Sequence, residues 1–452
     1  MNDLCVFAVK RGGIEDRLDV PFYHPKSTEV LSAIKHSEYP VVPLANLLLN
    51  LTDGTHYTPT YTETGVKFVS VTNVAENEID FSNTKYISEK EHAEFVKRCF
   101  PQAGDILLTK IGSIGRAAVV PENCPQFSIF VSVALLQPID TVVSEFLCAY
   151  LNTRFAKKQF ERHLKGIGVP DLHLENIAET LVILPPYPQQ VLLAEKYTNS
   201  VIRKKGQLTQ AKDIWVAFEQ RVTNLLNLGQ TSKGKLCFAI QLKNLDGVID
   251  AKRYGSVSTT AHTLVMSNVV DIVEEKVNVS RYGKQVIDWI RIDDLPNQPL
   301  DIEEIRTQPA DEVEGTFFEV QEGDILVARL GPTILNQKIV MVRSLERTTI
   351  ASAEFLVLRC KPGSNPEAVM AVLKTGYYRD LMYSHARGST PSRYRLNRED
   401  MLKLPFPDIR EHQEQLATEA NAIRIQVKAM RAQAEQEWKE ARKQFEKELL
   451  GE

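Results

Sequence analysis

From Gln189 to Leu228 the residues Ala194, Tyr197, Val201, Lys204, Leu208, Ala211, Trp215, Phe218, Val222 and Leu225 recur in alternating steps of three and four, and only Lys204 interrupts their apolar character. That is a heptad seam, and it constrains the chain more than any other feature. At 1.5 Å per residue such a helix runs about 60 Å, longer than a small domain is wide, so its seam needs a second long helix to cover it. A matching seam reads Gln413, Leu416, Ala420, Ile423, Val427, Met430, Ala434, and continues after a stutter through Trp438, Ala441 and Phe445. Pro-rich lead-ins, Leu184-Pro185-Pro186-Tyr187-Pro188 and Leu404-Pro405-Phe406-Pro407, precede both, where proline is tolerated at a helix start. The expectation is two helices, 189–228 and 408–452, paired as an antiparallel coiled coil. Asp408 would be the N-cap of the second. Trp215, Phe218, Met430 and Trp438 are the large groups through which these helices would bind a partner.

The segments before the two helices repeat each other. Gly104-Asp105-Ile106-Leu107 recurs as Gly323-Asp324-Ile325-Leu326, and Lys110 and Gly112 recur as Arg329 and Gly331, all at an offset of 219. His163 and Gly166 return as His385 and Gly388 at 222, and Leu184-Pro185 as Leu404-Pro405 at 220. More loosely, Arg17-Leu18-Asp19 with Tyr23 echoes Val248-Ile249-Asp250 with Tyr254. Near-constant offsets of this size mean tandem duplication of a domain, not a solenoid. Within each half, Gly65–Val71 and Val286–Ile292 alternate as half-buried strands do, and Asp105–Lys110 and Asp324–Arg329 read as strands begun by Gly-Asp turns. Helices are expected at Val143–Leu164 and Pro366–His385. The fold class is therefore α+β: a domain over 1–188, the helix 189–228, a second domain over 229–407 and the helix 408–452.

Composition sets bounds. With 452 residues, 43% hydrophobic and 25% charged, the chain is globular and long enough for two or three cores. No apolar run reaches membrane-spanning length, and Met1-Asn2-Asp3 does not read as a signal peptide. The six cysteines form no CxxC, so neither a metal site nor a disulfide framework is expected, and the cytoplasm is the expected location. A net charge of −4 excludes a surface that is basic all over; a nucleic acid would have to meet clustered cations.

Catalytic motifs are absent or broken. Gly229–Lys235 has G-x4-G-K spacing, but Leu236 follows where a hydroxyl is needed and a long helix precedes it, so it reads as a polar linker. Leu184 precedes Pro185-Pro186-Tyr187 where an amine-binding polar residue would stand in an adenine N6-methyltransferase. No E-x-K follows Pro170-Asp171 or Pro407-Asp408 as a nuclease would require, and no G-x-S-x-G occurs. Two duplicated basic stretches remain. Arg154, Lys157, Lys158, Arg162 and Lys165 face only Glu161, and Arg379, Arg387, Arg393, Arg395 and Arg398 face only Asp380. Such charges suit phosphate contacts. Thr52-Asp53-Gly54-Thr55-His56-Tyr57 reads as an Asp-Gly turn dense in short donors and acceptors, suited to reading bases. Its loose counterpart holds Arg281, Tyr282 and Lys284. Lys110, Arg116, Arg329 and Lys338 add exposed cations at strand ends.

Taken in order, Asp53-Gly54-Thr55-His56 with Pro59, Gly65 and Phe68, the two Gly-Asp-Ile-Leu strands with their following cation and glycine, and the two Leu-Pro lead-ins resemble the specificity subunit of type I restriction–modification systems. The resemblance covers nearly the whole chain, although the second half lacks the Asp-Gly-Thr-His stretch. It implies two target-recognition domains, each reading one half of a bipartite double-stranded DNA target, with the helices fixing the spacer. It implies a non-catalytic subunit without a cofactor of its own. Its partners would be two methyltransferase subunits that use S-adenosylmethionine, with a restriction/translocase subunit as a further member in some systems, and no membrane. The residues alone leave open a coiled-coil adaptor whose globular halves bind other proteins.

Overall fold

The computed structural model describes residues 7, 9, 20–164, 169–229, 264–303 and 305–451. Expectations on Arg17–Asp19, Lys165, Gly166, Gln230–Lys235 and Val248–Tyr254 lie outside these residues. The chain divides into two compact units, one of residues 1–206 with 433–452 and one of residues 207–432.

The first unit is built on a four-stranded antiparallel sheet in the order Leu48–Asp53, Val133–Pro138, Ile106–Thr109, Ala117–Val119. Successive side chains of a strand point to opposite faces. Ile106 and Leu108, with Ala134 and Leu136, therefore join a core that includes Phe146, Tyr150 and Phe155. Leu107, Val133 and Leu135 pack on the other side with Phe127 and Ile129 of a second sheet. That sheet runs Phe127–Ile129, Val66–Val69, Lys85–Ile87, Tyr61–Thr62, and its first pair is parallel.

The second unit repeats this order. Val270–Ile272, Phe355–Cys360, Ile325–Ala328 and Ile339–Met341 form the first sheet. In the other, Thr349–Ala351 pairs parallel with Val286–Ile290, which pairs antiparallel with Arg306–Pro309. Thr316–Glu319 joins the second sheet beside Thr349–Ala351, a position with no strand among the described residues of the first unit.

Both Gly-Asp turns start their strand in the same way. Gly104 and Gly323 take φ of +88° and +86°, a region open to glycine. Asp105 accepts the Gln102 N–H at 2.8 Å and Asp324 the Gln321 N–H at 2.9 Å. The carboxylates are then satisfied differently. Asp324 takes two hydrogen bonds from Arg359, at 2.9 and 2.8 Å, whereas Asp105 receives Gln137 Nε2 at 3.3 Å, and burial pushes its pKa above the usual value. Gln137 and Arg359 stand 222 residues apart, the offset of the repeat. A carboxyl whose folded pKa is raised loses stability as pH rises through that pKa. Gln137→Arg is expected to remove this loss and stabilise the first unit by about 1 kcal/mol at pH 7. The gain should be smaller at pH 4, a comparison that urea unfolding at the two pH values makes directly.

The helices expected over Val143–Leu164 and Pro366–His385 are each broken in two: Ser144–Leu151 and Arg154–His163, and Pro366–Leu373 and Gly376–His385. The breaks fall at Asn152-Thr153 and Lys374-Thr375. Each threonine turns its hydroxyl back to the carbonyl three residues earlier, Thr153 to Tyr150 and Thr375 to Val372, and adopts an extended backbone. Buried Asn152 accepts the Ala117 N–H and donates to the Ala117 carbonyl, which fixes the first break against an edge strand.

The long helices span Tyr187–Leu225 and Gln413–Leu450. The second begins later than expected, because Asp408 turns its carboxylate to the N–H and guanidinium of Arg410, a local turn ahead of the helix. In the first unit Tyr197 meets Trp438 and Phe445 with ring centroids 5.1 and 5.0 Å apart. Lys196–Glu448 and Lys204–Glu435 pair at 2.9 and 2.8 Å. Lys204, the polar member of the seam, also lies 5.6 Å from the Trp438 ring centroid. In the second unit Ala211, Trp215, Phe218 and Val222 share a core with Leu416, Ala420 and Val427, and Met430 packs against it partly buried. Trp215, Phe218 and Trp438 are thus buried in the seam between the two helix segments of their own units, as the spacing predicts. Leu225, expected in the seam, is exposed, and its neighbour Leu226 packs against the core.

Candidate nucleic-acid interface

In the first unit Asp53 ends the strand Leu48–Asp53 and is buried. The chain then crosses from one sheet to the other. The Gly54 N–H bonds to the Val133 carbonyl and the Thr55 N–H to the Ile129 carbonyl, and Thr55 bridges in parallel to Phe130. A Cβ on Gly54 would sit 2.0 Å from the Ile129 oxygen, so only glycine allows the crossing. The stretch is therefore a sheet-to-sheet connection and not an exposed turn. Asp53 and Thr55 are buried and withdrawn from direct contact with a ligand, and Thr52 is half-buried in a strand pair. What the crossing exposes is His56, with 58% of its side chain accessible, and Tyr57, at 81%.

Three basic side chains converge on Asp53. Its Oδ1 is 3.2 Å from His56 Nε2 and accepts a hydrogen bond from Arg98 Nη2, and its Oδ2 lies 3.5 Å from Lys110 Nζ. Lys110 is buried and is also 3.5 Å from Asp171. It was expected as an exposed cation. It is held inward because its N–H bonds to Ser132 and its carbonyl to the Leu172 N–H. Arg116 is exposed and has no side-chain partner among the described residues.

The basic stretch of this unit is largely committed internally. Arg154 pairs with Glu446 at 3.0 Å, Lys157 with Glu76 and Lys158 with Glu161. Arg162 bonds to the Phe22 carbonyl and stacks on its ring. Lys165 lies outside the described residues.

In the second unit the structure assembles arginines that are distant in sequence. Arg387 and Arg395 exchange backbone hydrogen bonds, and the Leu396 N–H bonds to the Arg329 carbonyl. Arg329 and Arg395 share Glu354, at 3.4 and 3.1 Å, and Arg387 reaches buried Asp400 at 2.8 Å. Arg393, in the same hairpin, is exposed without a side-chain partner among the described residues. The Arg395–Glu354 pair is part-exposed on both sides and contributes little stability, whereas Arg387, about half exposed, holds a carboxylate that is buried. Arg281 pairs with Glu319 and lies over Tyr282. Lys284 is exposed. Lys338, also expected at the surface, is half-buried and donates to the Ile292 carbonyl at 3.0 Å. Among the described residues no cluster of His, Cys, Asp and Glu could hold a metal ion, and no helix is long and apolar enough to cross a membrane.

Residues 57–210 match the family model described as "Type I restriction modification DNA specificity domain". The chain resembles type I specificity subunits. Among curated proteins, the type I restriction enzyme EcoBI specificity subunit of Escherichia coli is 25% identical over 163 residues, 36% of this chain. The match spans about a third of that relative's length, 32%. A chain from a solved type I R-M system aligns over 91% of this chain and 96% of its own at 14% identity and a TM-score of 0.44. The type I restriction-modification S subunit of M. genitalium aligns over 92% and 95% at 11% identity and 0.41.

The matched specificity domain contains Tyr57, Arg98 and Arg116, and begins immediately after His56. Arg98 is the residue that sequence reasoning missed. It lies 45 residues from Asp53, in no motif, beside the ordinary pair Glu94–Lys97. The one available signal was Cys99 and Pro101, both buried, directly after it.

Proposed function

We propose that this chain is the DNA-reading subunit of a type I restriction–modification complex. The observation that carries the reading is the recurrence, in the second unit, of the sheet order of the unit that holds the specificity domain. A reader built twice suits a bipartite DNA target, one half-site for each of the domains 1–188 and 229–407. The helix segments pair Lys196 with Glu448, Lys204 with Glu435 and Arg221 with Glu419. One partner number falls as the other rises, which supports an antiparallel coiled coil as the ruler for the unread spacer.

The chain itself is non-catalytic. It directs two methyltransferase subunits, which carry S-adenosylmethionine, to adenine N6, and a restriction/translocase subunit joins where the system has one. Those subunits add phosphate contacts that a chain of net charge −4 does not supply alone.

Mapping N6-methyladenine in cells that express the chain with its methyltransferase tests this. Methylation at one bipartite sequence is expected, and methylation unchanged by deleting the chain would refute it. Within the interface, Arg387→Ala is expected to weaken binding alike for all duplexes and to flatten the dependence of log K on log salt by about one unit. Lys165→Ala is expected to do the same in the first domain. Anisotropy titrations across salt concentrations read both.

A further inference from the structure

We propose that Arg98 is a base-reading residue of the first unit, taking guanine through its free edge while Asp53 holds the other. The inference rests on the proposed DNA-reading function and adds a residue and a base to it.

The guanidinium carries five N–H donors in a fixed plane. Arg98 donates from Nη2 to Asp53 Oδ1, and its side chain is 54% exposed. The anchor is rigid. Asp53 is buried at a strand end, and its second oxygen faces the buried Lys110 ammonium, so the carboxylate stays paired from behind while its front face orients donors. The base of Arg98 is fixed as well. Its N–H and that of Cys99 bond to the Phe95 carbonyl at 3.3 and 3.1 Å, Cys99 is buried, and Phe95 packs on Phe68. A long side chain normally loses rotamer entropy on binding; here that ordering is already in place.

The plane is therefore presented, and what matches it is a planar pair of acceptors. In the major groove guanine offers O6 and N7 side by side, the commonest bidentate target of arginine. His56 shares the same Asp53 oxygen, and the exposed Tyr57 follows it in the chain. One buried carboxylate thus gathers two exposed donors beside an aromatic ring, from segments tens of residues apart. A phosphate would not require this device, since a mobile lysine also binds it as a point charge.

The test is selection of duplexes from a random library by the full-length chain assembled with its methyltransferase subunits, for the parent protein, Arg98→Ala and Arg98→Lys. Lys110 remains on Asp53 in both variants, so a cooperative melt is expected with at most a modest drop in Tm, which confirms that both fold. The parent should select a half-site containing a guanine, and both variants should lose about 10–100-fold of the preference at that one position while keeping the rest. Lysine should not rescue, because it lacks the fork. Equal weakening on every sequence would make Arg98 a phosphate contact and overturn the proposal, as would an unchanged guanine preference. A parent protein that selects no sequence would instead overturn the DNA-reading function itself, so the two failures are distinguishable.

Discussion

Asp301→Ala is expected to lower the unfolding free energy of the second unit by about 3–5 kcal/mol, the range for breaking a buried ion pair from one side. Asp301 is buried and accepts Arg343 Nε at 2.8 Å, Arg424 Nη1 at 2.6 Å and Lys428 Nζ at 3.2 Å. Burial alone would raise its pKa, but Arg343, Arg424 and Lys428 together bring it below the usual value. Arg343 is itself pushed down by burial and by the neighbouring Arg424, so removing Asp301 leaves two crowded guanidinium groups with one carboxylate fewer, Glu367 remaining on Arg343. A carboxyl with a depressed folded pKa supplies stability that is present above its unfolded value of about 3.8 and lost as pH falls through the folded value. The difference between parent and variant should accordingly shrink in acid below pH 4. Urea unfolding from pH 3 to pH 7 reads both effects. Adding Arg424→Met to the variant should recover part of the loss, because it removes one of the unpaired charges.

The second large effect is a pH dependence with the opposite sense. Lys374 is fully buried at the break between Pro366–Leu373 and Gly376–His385, and its ammonium nitrogen donates to the Pro299 carbonyl. Burial pushes its pKa down to about 7, against a smaller upward pull from Glu219. Below pH 7 the group is charged in both folded and unfolded chains. Between pH 7 and 10.5 the folded chain has released the proton while the unfolded chain still binds it, so stability rises with pH. A shift of this size corresponds to a few kcal/mol at about 1.4 kcal/mol per unit. Lys374→Met is expected to remove that rise. Unfolding free energies of parent and variant at pH 7, 8 and 9.5 should draw apart in favour of the parent. Parallel curves would mean that Lys374 keeps its proton.

Much of the architecture was legible because it is periodic or repeated. The heptad seams are read directly from spacing, and nearly all of their positions are buried or half-buried. The two Gly-Asp-Ile-Leu segments announced matching strands because a turn demanding glycine precedes a run of three or four apolar residues, and both are central in their sheets. Helix boundaries were less legible. The breaks at Asn152-Thr153 and Lys374-Thr375 occur inside convincing helical patterns, since what ends each helix is the pull of an edge strand or a carbonyl elsewhere in the unit.

The interface was the least legible part. Asp53-Gly54-Thr55-His56 drew attention as a polar loop, and it does mark the site, but Asp53 and Thr55 work from inside and only His56 faces outward. Lys110 and Arg329 occupy equivalent places in the repeat, yet one is locked between two aspartates and the other shares a glutamate at the surface. Sequence by itself determined the two long helices and the strands that follow the Gly-Asp turns, because each depends on local spacing. Tertiary structure decided which charges are free and which are buried. A side chain's exposure and partner are set by segments tens of residues away, as Arg98 is set by Asp53, and no local pattern encodes that distance.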